Sequence, residues 1–150
     1  MGLSFSSAPL TGEDFRSAAR KEDNQTLKKL CTSLQSNTSL VNEGDVTSGS
    51  TAIHYCTFYG NNECLHTLLV FCNALPNVRD SKEIAPIHLA ALKGFDACLI
   101  ELLEHAADPN IGDLHQVRPL HLAAMFGHHS SLVILLAHGA DVNLVNEVGG

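Results

Sequence analysis

The strongest constraint in this 150-residue chain is a stretch that it spells more than once. From Ala85 it reads APIHLAALKGFDACLIELLEHAADPN, and from Arg118 it reads RPLHLAAMFGHHSSLVILLAHGADVN. The imidazoles of His88 and His121 lie 33 residues apart. A third copy, TAIHYCTFYGNNECLHTLLVFCNALPN, begins at Thr51; its His54 precedes His88 by 34, with the extra residue near Phe71 and Cys72. A fourth, DFRSAARKEDNQTLKKLC, keeps Ala18, Ala19, Leu27 and Leu30 but lacks the His and the Gly, and lies 38 residues before its neighbour. A nearly fixed period of this size marks a repeat array, in which each copy must stack on the next to bury its apolar face.

A single copy can be read from its residues. Helical spacing places Ile87, Ala90 and Ala91 on one side of a short helix, small enough for a neighbouring helix to approach. Gly94 ends that helix, and Leu99, Leu102 and Leu103 supply the apolar stripe of the next. AADPN and GADVN then give turn chemistry leading into a short extended finger. The predicted fold is all-α, a solenoid of stacked helix-turn-helix units with hairpin-like fingers along one edge. Its copies span 13–45 (a divergent cap), 46–79, 80–112 and 113–145, after a disordered leader at 1–12.

The motifs resemble the ankyrin repeat, whose pattern is T-P-L-H-x-A-A-x-x-G-H followed by V-x-x-L-L-x-x-G-A-D-x-N. The match covers most of residues 13–149. It is closest in the last copy, at Pro119–Leu120–His121, Ala123–Ala124, Gly127–His128, Leu135–Leu136 and Gly139–Ala140–Asp141–Val142–Asn143. The resemblance implies that His54, His88 and His121 are braces bonding neighbouring backbone and the hydroxyl of a Thr. Copies packed about 10 Å apart would hold these rings too far from one another to share a metal. His128 is the family's usual His after Gly, and His105 and His138 precede Ala or Gly on an outer surface; His66, His115 and His129 fall outside the pattern.

Departures from the pattern carry their own expectations. The Gly that opens a finger survives as Gly49, but Glu83 and Gln116 replace it, so those fingers are either strained or shaped differently. Thr51 is kept, whereas Ala85 and Arg118 stand where a Thr would bond the His. The first copy, with Arg16, Arg20, Lys21, Glu22, Asp23, Lys28 and Lys29, reads as a solvent-facing cap. TSLQSNTSLVNEGDVTSGS reads as a mobile surface loop. Asn146–Glu147–Val148–Gly149 opens like a further copy at 146–150, so the array is expected to be cut short there, exposing Leu132, Leu135 and Leu136.

Composition narrows the function classes. The formal charge is −7 and no run of Lys or Arg exceeds two, which argues against nucleic acid. No apolar run approaches the ~20 residues of a membrane span. The start, MGLSFSSAPL, lacks a signal peptide's basic end and apolar stretch but fits M-G-x-x-x-S, which makes Gly2 a myristoylation candidate. Five cysteines (Cys31, Cys56, Cys64, Cys72, Cys98) without a CxxC pair read as reduced thiols, hence a cytoplasmic chain, with the nucleus as alternative. Nothing matches a nucleophile elbow, a phosphate loop or a metal-ligand spacing, so no enzyme, cofactor or metal is expected.

Binding is the remaining class. The resemblance places partners on the finger tips and on the exposed end of the first helix, at the two residues before the repeat's Gly. Those pairs are Phe58–Tyr59, Leu92–Lys93 and Met125–Phe126, and five of the six are large and apolar or aromatic. Side by side they would make an apolar patch, rimmed by Arg79, Lys82, His115 and Arg118, suited to a protein segment. The expected function is a protein-interaction scaffold or adaptor. The alternatives are the regulatory amino-terminal array of a larger signalling enzyme, ubiquitin-ligase adaptor or channel, and an inhibitor occluding an enzyme's cleft. The resemblance also marks Asn143 and Asn110 as candidate substrates of an asparaginyl hydroxylase, which prefers a Leu eight before and an acidic residue two before. Leu135 with Asp141, and Leu102 with Asp108, meet that preference.

Overall fold

The computed structural model describes residues 8–34 and 37–149; Gly2 lies outside them. Eight α-helices occur among these residues: α1 Gly12–Arg20, α2 Asn24–Ser33, α3 Ala52–Phe58, α4 Asn62–Phe71, α5 Pro86–Lys93, α6 Asp96–Glu104, α7 Pro119–Met125 and α8 His129–Ala137. The first helices of the copies (α1, α3, α5, α7) stack in one row and the second helices (α2, α4, α6, α8) in another, giving two layers. The all-α solenoid expected from the repeat is therefore the fold. Its fingers are turns closed by backbone bonds, Asp80 N–H to Ile84 O and Asp113 N–H to Val117 O, both 3.0 Å. Neighbouring fingers are joined in turn: Ser81 N–H donates to Ser48 O (2.8 Å), Leu114 N–H to Lys82 O (3.3 Å) and Glu147 N–H to His115 O (3.1 Å).

Small residues let the rows close. Ala18, Ala52, Ala90, Ala91 and Ala123 are buried where first helices meet, while Leu27, Leu65, Leu68, Leu99 and Leu102 fill the space between the rows. This Leu and Ala core needs little aromatic content, and Phe15 is the one fully buried ring of that kind among the described residues. Each first helix is stopped by a left-handed residue. At Gly94 (φ 68) a Cβ would come within 2.6 Å of His128 Nδ1, because the ring of the following copy lies against it. From there His128 Nε2–H donates to the Leu92 carbonyl at 2.9 Å.

The repeated His acts as a brace between copies. His54 Nδ1 accepts from Thr51 N–H (3.1 Å) and the Thr51 hydroxyl (3.0 Å), and its Nε2–H donates to Ile84 O in the next finger (2.8 Å). His88 does the same with Ala85 N–H (3.0 Å) and Val117 O (3.0 Å), but without a hydroxyl. His121 takes Arg118 N–H (3.0 Å) and reaches Leu144 O (2.9 Å). These partners fix the neutral tautomer protonated on Nε2. Burial lowers the pKa of both His54 and His88, which favours that uncharged form.

Several expectations are corrected. Arg16 is buried, not solvent-facing: it stands in the slot of the missing His, and its guanidinium donates to Glu43 O at 2.7 Å while pairing with Glu13 at 3.0 Å. The stretch read as a mobile loop is ordered where described. It contains a 3-10 helix over Thr38–Asn42, a core side chain at Val41 and a turn built on Asp45, whose carboxylate accepts Ser48 N–H at 2.6 Å. Local spacing hid this because the stretch is held by partners about 30 residues away, as in Leu75 N–H to Asn42 Oδ1 (2.8 Å). Leu135 is fully buried and Leu132 half-buried; of the three leucines expected at the last face, Leu136 alone is open, at 45%. The five cysteines, expected as separate reduced thiols, are in part brought together: Cys31 lies beside Cys72 and Cys56 beside Cys64, with Cα–Cα separations of 5.3 and 5.7 Å, while Cys98 is buried apart from them.

Fingers at Glu83 (φ 61) and Gln116 (φ 59) keep the left-handed conformation that Gly49 (φ 71) adopts. Between the two possibilities the sequence left open, they are strained rather than reshaped.

Candidate partner-binding surface

The carboxyl ends of the first helices carry the residues expected to meet a partner, and the turns that follow push them outward. Phe58 and Tyr59 are 42% and 45% exposed, and Met125 and Phe126 are 68% and 53% exposed. Leu92 is half-buried, and Lys93 lays its ammonium over the Phe58 ring, 4.6 Å from the centroid. The Phe58 and Tyr59 rings stand edge to face with centroids 5.2 Å apart. Apolar surface is thus continuous within each pair, whereas a cation covers part of it between the second and third copies.

Beside the aromatic pair runs a groove of about 250 Å³ between the fingers and the first helices, lined by Ser48, Ser50, Tyr55, Phe58, Tyr59, Asp80 and Leu89, with His54 behind it. Tyr55 is a member that the sequence reading missed. It occupies the variable position after the repeat's His, where Leu89 and Leu122 stand in later copies, and that shared slot was the available signal. Its hydroxyl donates to Asp45 Oδ2 at 2.7 Å, and the Arg20 guanidinium lies over its ring at 5.0 Å. Burial, then the bond to Asp45, raises the Tyr55 phenol's pKa; Asp45 itself is held below the usual carboxylate range by the N–H of Ser48 and the Tyr55 hydroxyl.

The rim differs from the simple basic edge expected. Arg79 pairs with Glu83 (2.7 Å) and donates to Gly112 O (3.3 Å), and His115 bonds Glu147 (3.0 Å). Arg118 donates to Asn110 O and to Gln116 Oε1 (3.2 Å), so its guanidinium is tied to its own finger and to the turn that precedes it. Lys82 is exposed, and no ion pair or side-chain bond engages its ammonium. One member of the rim is therefore free to meet a carboxylate.

The two asparagine candidates differ. Asn110 donates its Nδ2–H to Gly139 O (3.1 Å) and accepts Asp141 N–H (2.7 Å) from the following copy. Asn77 makes the same pair of bonds to Ala106 O (3.1 Å) and Asp108 N–H (2.8 Å). Asn143 is exposed, and neither bond is made by its carboxamide. Asn42, unnoticed in the sequence, begins this ladder; VN at 41–42 echoes the VN at 142–143.

Three of the other histidines serve structure as well. His105 and His138 donate Nδ1–H to Glu101 O and Ile134 O, both at 2.8 Å, satisfying carbonyls at helix ends. His66 bonds Glu101 of the next copy at 2.7 Å. Among the described residues no group of three His, Cys, Asp or Glu could hold a metal ion, and no helix is long and apolar enough to cross a membrane. What the surface offers is apolar contact, a polar-walled groove and a free ammonium. A family model described as ankyrin repeats (3 copies) matches the chain in two overlapping stretches, residues 15–113 and 53–146.

Proposed function

The chain belongs to the ankyrin-repeat family, and from that premise we propose that it is a non-catalytic scaffold or adaptor that holds a protein segment along its row of first helices and its finger tips. Ankyrin repeats are in general protein–protein interaction modules. The observation that carries the reading here is the outward display of Phe58, Tyr59, Met125 and Phe126 beside the groove. Large apolar side chains this open, next to a concave polar-walled space, fit the centre of an interface better than a solvated surface. The test is quantitative co-purification with the full chain carrying Phe58→Ser and Phe126→Ser, both substitutions being at exposed sites. Loss of a stoichiometric partner supports the reading. If every partner is retained at wild-type level, the assignment of this surface fails.

Asn143, with Leu135 and Asp141 before it, and Asn110, with Leu102 and Asp108, are proposed as substrates of an asparaginyl hydroxylase on that spacing. Mass spectrometry after incubation with such an enzyme should find one added oxygen at either residue, and no addition at both removes this assignment.

A further inference from the structure

The groove beside Phe58 and Tyr59 carries carboxylates as well as rings, and their oxygens are not equally occupied. Asp45 Oδ1 accepts Thr47 N–H (2.9 Å) and Ser48 N–H (2.6 Å), and its Oδ2 accepts the hydroxyls of Ser48 (2.8 Å) and Tyr55 (2.7 Å). That carboxylate lends charge but no free oxygen. At Asp80, Oδ1 accepts Lys82 N–H (2.8 Å) and Ile84 N–H (3.0 Å), whereas Oδ2 has no partner among the described residues and is open to solvent. The Ser48 and Ser50 hydroxyls are 2.9 Å apart, and the one proton on Ser48 already serves Asp45. Ser50 therefore donates to Ser48 and keeps its own lone pairs unused.

The neighbouring rings attract cations. Lys93 lies over Phe58 at 4.6 Å, and Arg20, which also pairs with Glu13, lies over Tyr55 at 5.0 Å. Among the described residues no cation lies over the Tyr59 ring. Burial lowers the pKa of His54 against the opposing pull of Asp80 and Asp45, so the imidazole behind the groove brings no positive charge at neutral pH.

We propose that this groove receives an arginine side chain from the bound segment, its guanidinium between Asp80 and the Tyr59 ring and its stem along Phe58 and Leu89. The assignment rests on the protein-binding reading of the same surface given above. Arginine fits better than lysine because a planar, weakly hydrated guanidinium can lie on a ring while its several N–H groups reach Asp80 Oδ2 and Ser50 Oγ together. A carboxylate in its place would meet two others, and a wholly apolar side chain would strip water from Asp80 Oδ2 without replacing it. Lys93 and Lys82 are exposed, so water and salt screen their repulsion of such a guest. The formal charge of −7 draws a cationic segment in from a distance.

The test selects short random peptides displayed on phage against the full chain and sorts them by whether Phe58→Ser removes their binding. The Phe58-dependent set should be enriched in Arg at one position. In a synthetic peptide from that set, citrulline in place of this Arg keeps the shape but not the charge, and should weaken binding on the order of tenfold. Asp80→Asn retains an Oδ1 for the finger turn and should cost a similar factor, and the two losses should not add, because both remove one contact. Lys93→Gln should tighten the arginine peptide about twofold or more. If no selected peptide depends on Phe58, the protein-binding reading of this surface falls and the arginine site with it. If Phe58-dependent peptides prefer Glu, apolar residues alone or Lys as much as Arg, the surface reading stands and the arginine site is overturned. Citrulline binding as well as arginine, or losses that add in full, overturns it equally. Should Asp80→Asn not fold, the citrulline comparison on the wild-type chain decides.

Discussion

Gly94 and Gly127 hold the same slot in successive copies and nearly the same backbone, φ 68 and 71, yet a methyl group would meet very different surroundings at the two sites. At Gly127 an added Cβ has nothing within 4 Å. Gly127→Ala should therefore show the backbone effect alone: about 1–2 kcal/mol for an L-residue in the left-handed region, offset by about 0.4–1 kcal/mol through the stiffer unfolded chain, or about 1 kcal/mol net. At Gly94 the same methyl lies 2.6 Å from His128 Nδ1 and 2.8 Å from its Cγ, so the ring must leave. That gives up the bond from His128 to Leu92 O, worth about 1 kcal/mol, and disturbs close packing for about 1 kcal/mol more. Gly94→Ala should cost about 3 kcal/mol in total. At about 2–4 °C per kcal/mol for a domain this size, it should melt about 6–12 °C below wild type, against about 2–4 °C for Gly127→Ala. Urea unfolding followed by circular dichroism, fitted with a nearest-neighbour model suited to repeat arrays, measures both. In a His128→Ala background the excess at Gly94 should vanish. If the two glycine variants agree within about 0.5 kcal/mol, or the excess survives loss of the ring, the reasoning from this contact is wrong.

Three other outcomes follow from the braces and fingers. Ala85→Thr should add the hydroxyl that Thr51 already gives His54, on a backbone of the same φ (−94), and raise stability by about 1 kcal/mol; a lower melting temperature would show that the fully buried site cannot hold the extra atoms. Gln116→Gly should stabilise by about 0.5–1 kcal/mol by releasing a left-handed residue, and no gain in the melting temperature would remove the claim of strain. Because the folded pKa values of His54 and His88 lie below the unfolded 6.5, the stability they contribute is complete above about pH 6.5 and is lost as pH falls from there toward the folded values. Unfolding free energy measured against pH should decline across that window, less steeply in His88→Gln, and a flat profile would contradict burial as the cause.

What was legible in the sequence followed the period. His88 and His121, Ala90 and Ala91, and Leu99, Leu102 and Leu103 mark helix, turn and helix without any structure, because each slot must meet the same neighbour one copy on. Less legible was whatever kept a bond while changing the residue. Arg16 replaces the brace His with a different side chain of longer reach, and so reads as a surface charge. Asn42 holds the ladder position inside a Ser- and Thr-rich stretch that reads as loop. The rim charges misled for the opposite reason: composition shows that Arg79 and His115 are polar, but not that Glu83 and Glu147 already occupy them. The nearness of two cysteines was hidden too, since Cys31 and Cys72 are 41 residues apart and meet only once two copies stack.

These cases share a physical cause. A core of Leu, Ile and Ala is permissive, since apolar contact is non-directional and many registers of one helix pair on another would bury similar area. Register between copies is set instead by directional bonds repeated at each boundary. One is the brace to the next finger, made by His54 and His88; another is the Asn ladder through Asn42, Asn77 and Asn110. Each satisfies backbone groups that would otherwise be desolvated when copies close on one another, at about 1–3 kcal/mol for every group left unpaired. A slipped register would break both sets at once wherever both are present. The core can therefore diverge, as it does in the first copy, provided that directional bonds still cross the boundary: Asn42 there reaches Leu75 N–H, while Arg16, in the slot of the brace, bonds Glu43 O within its own copy.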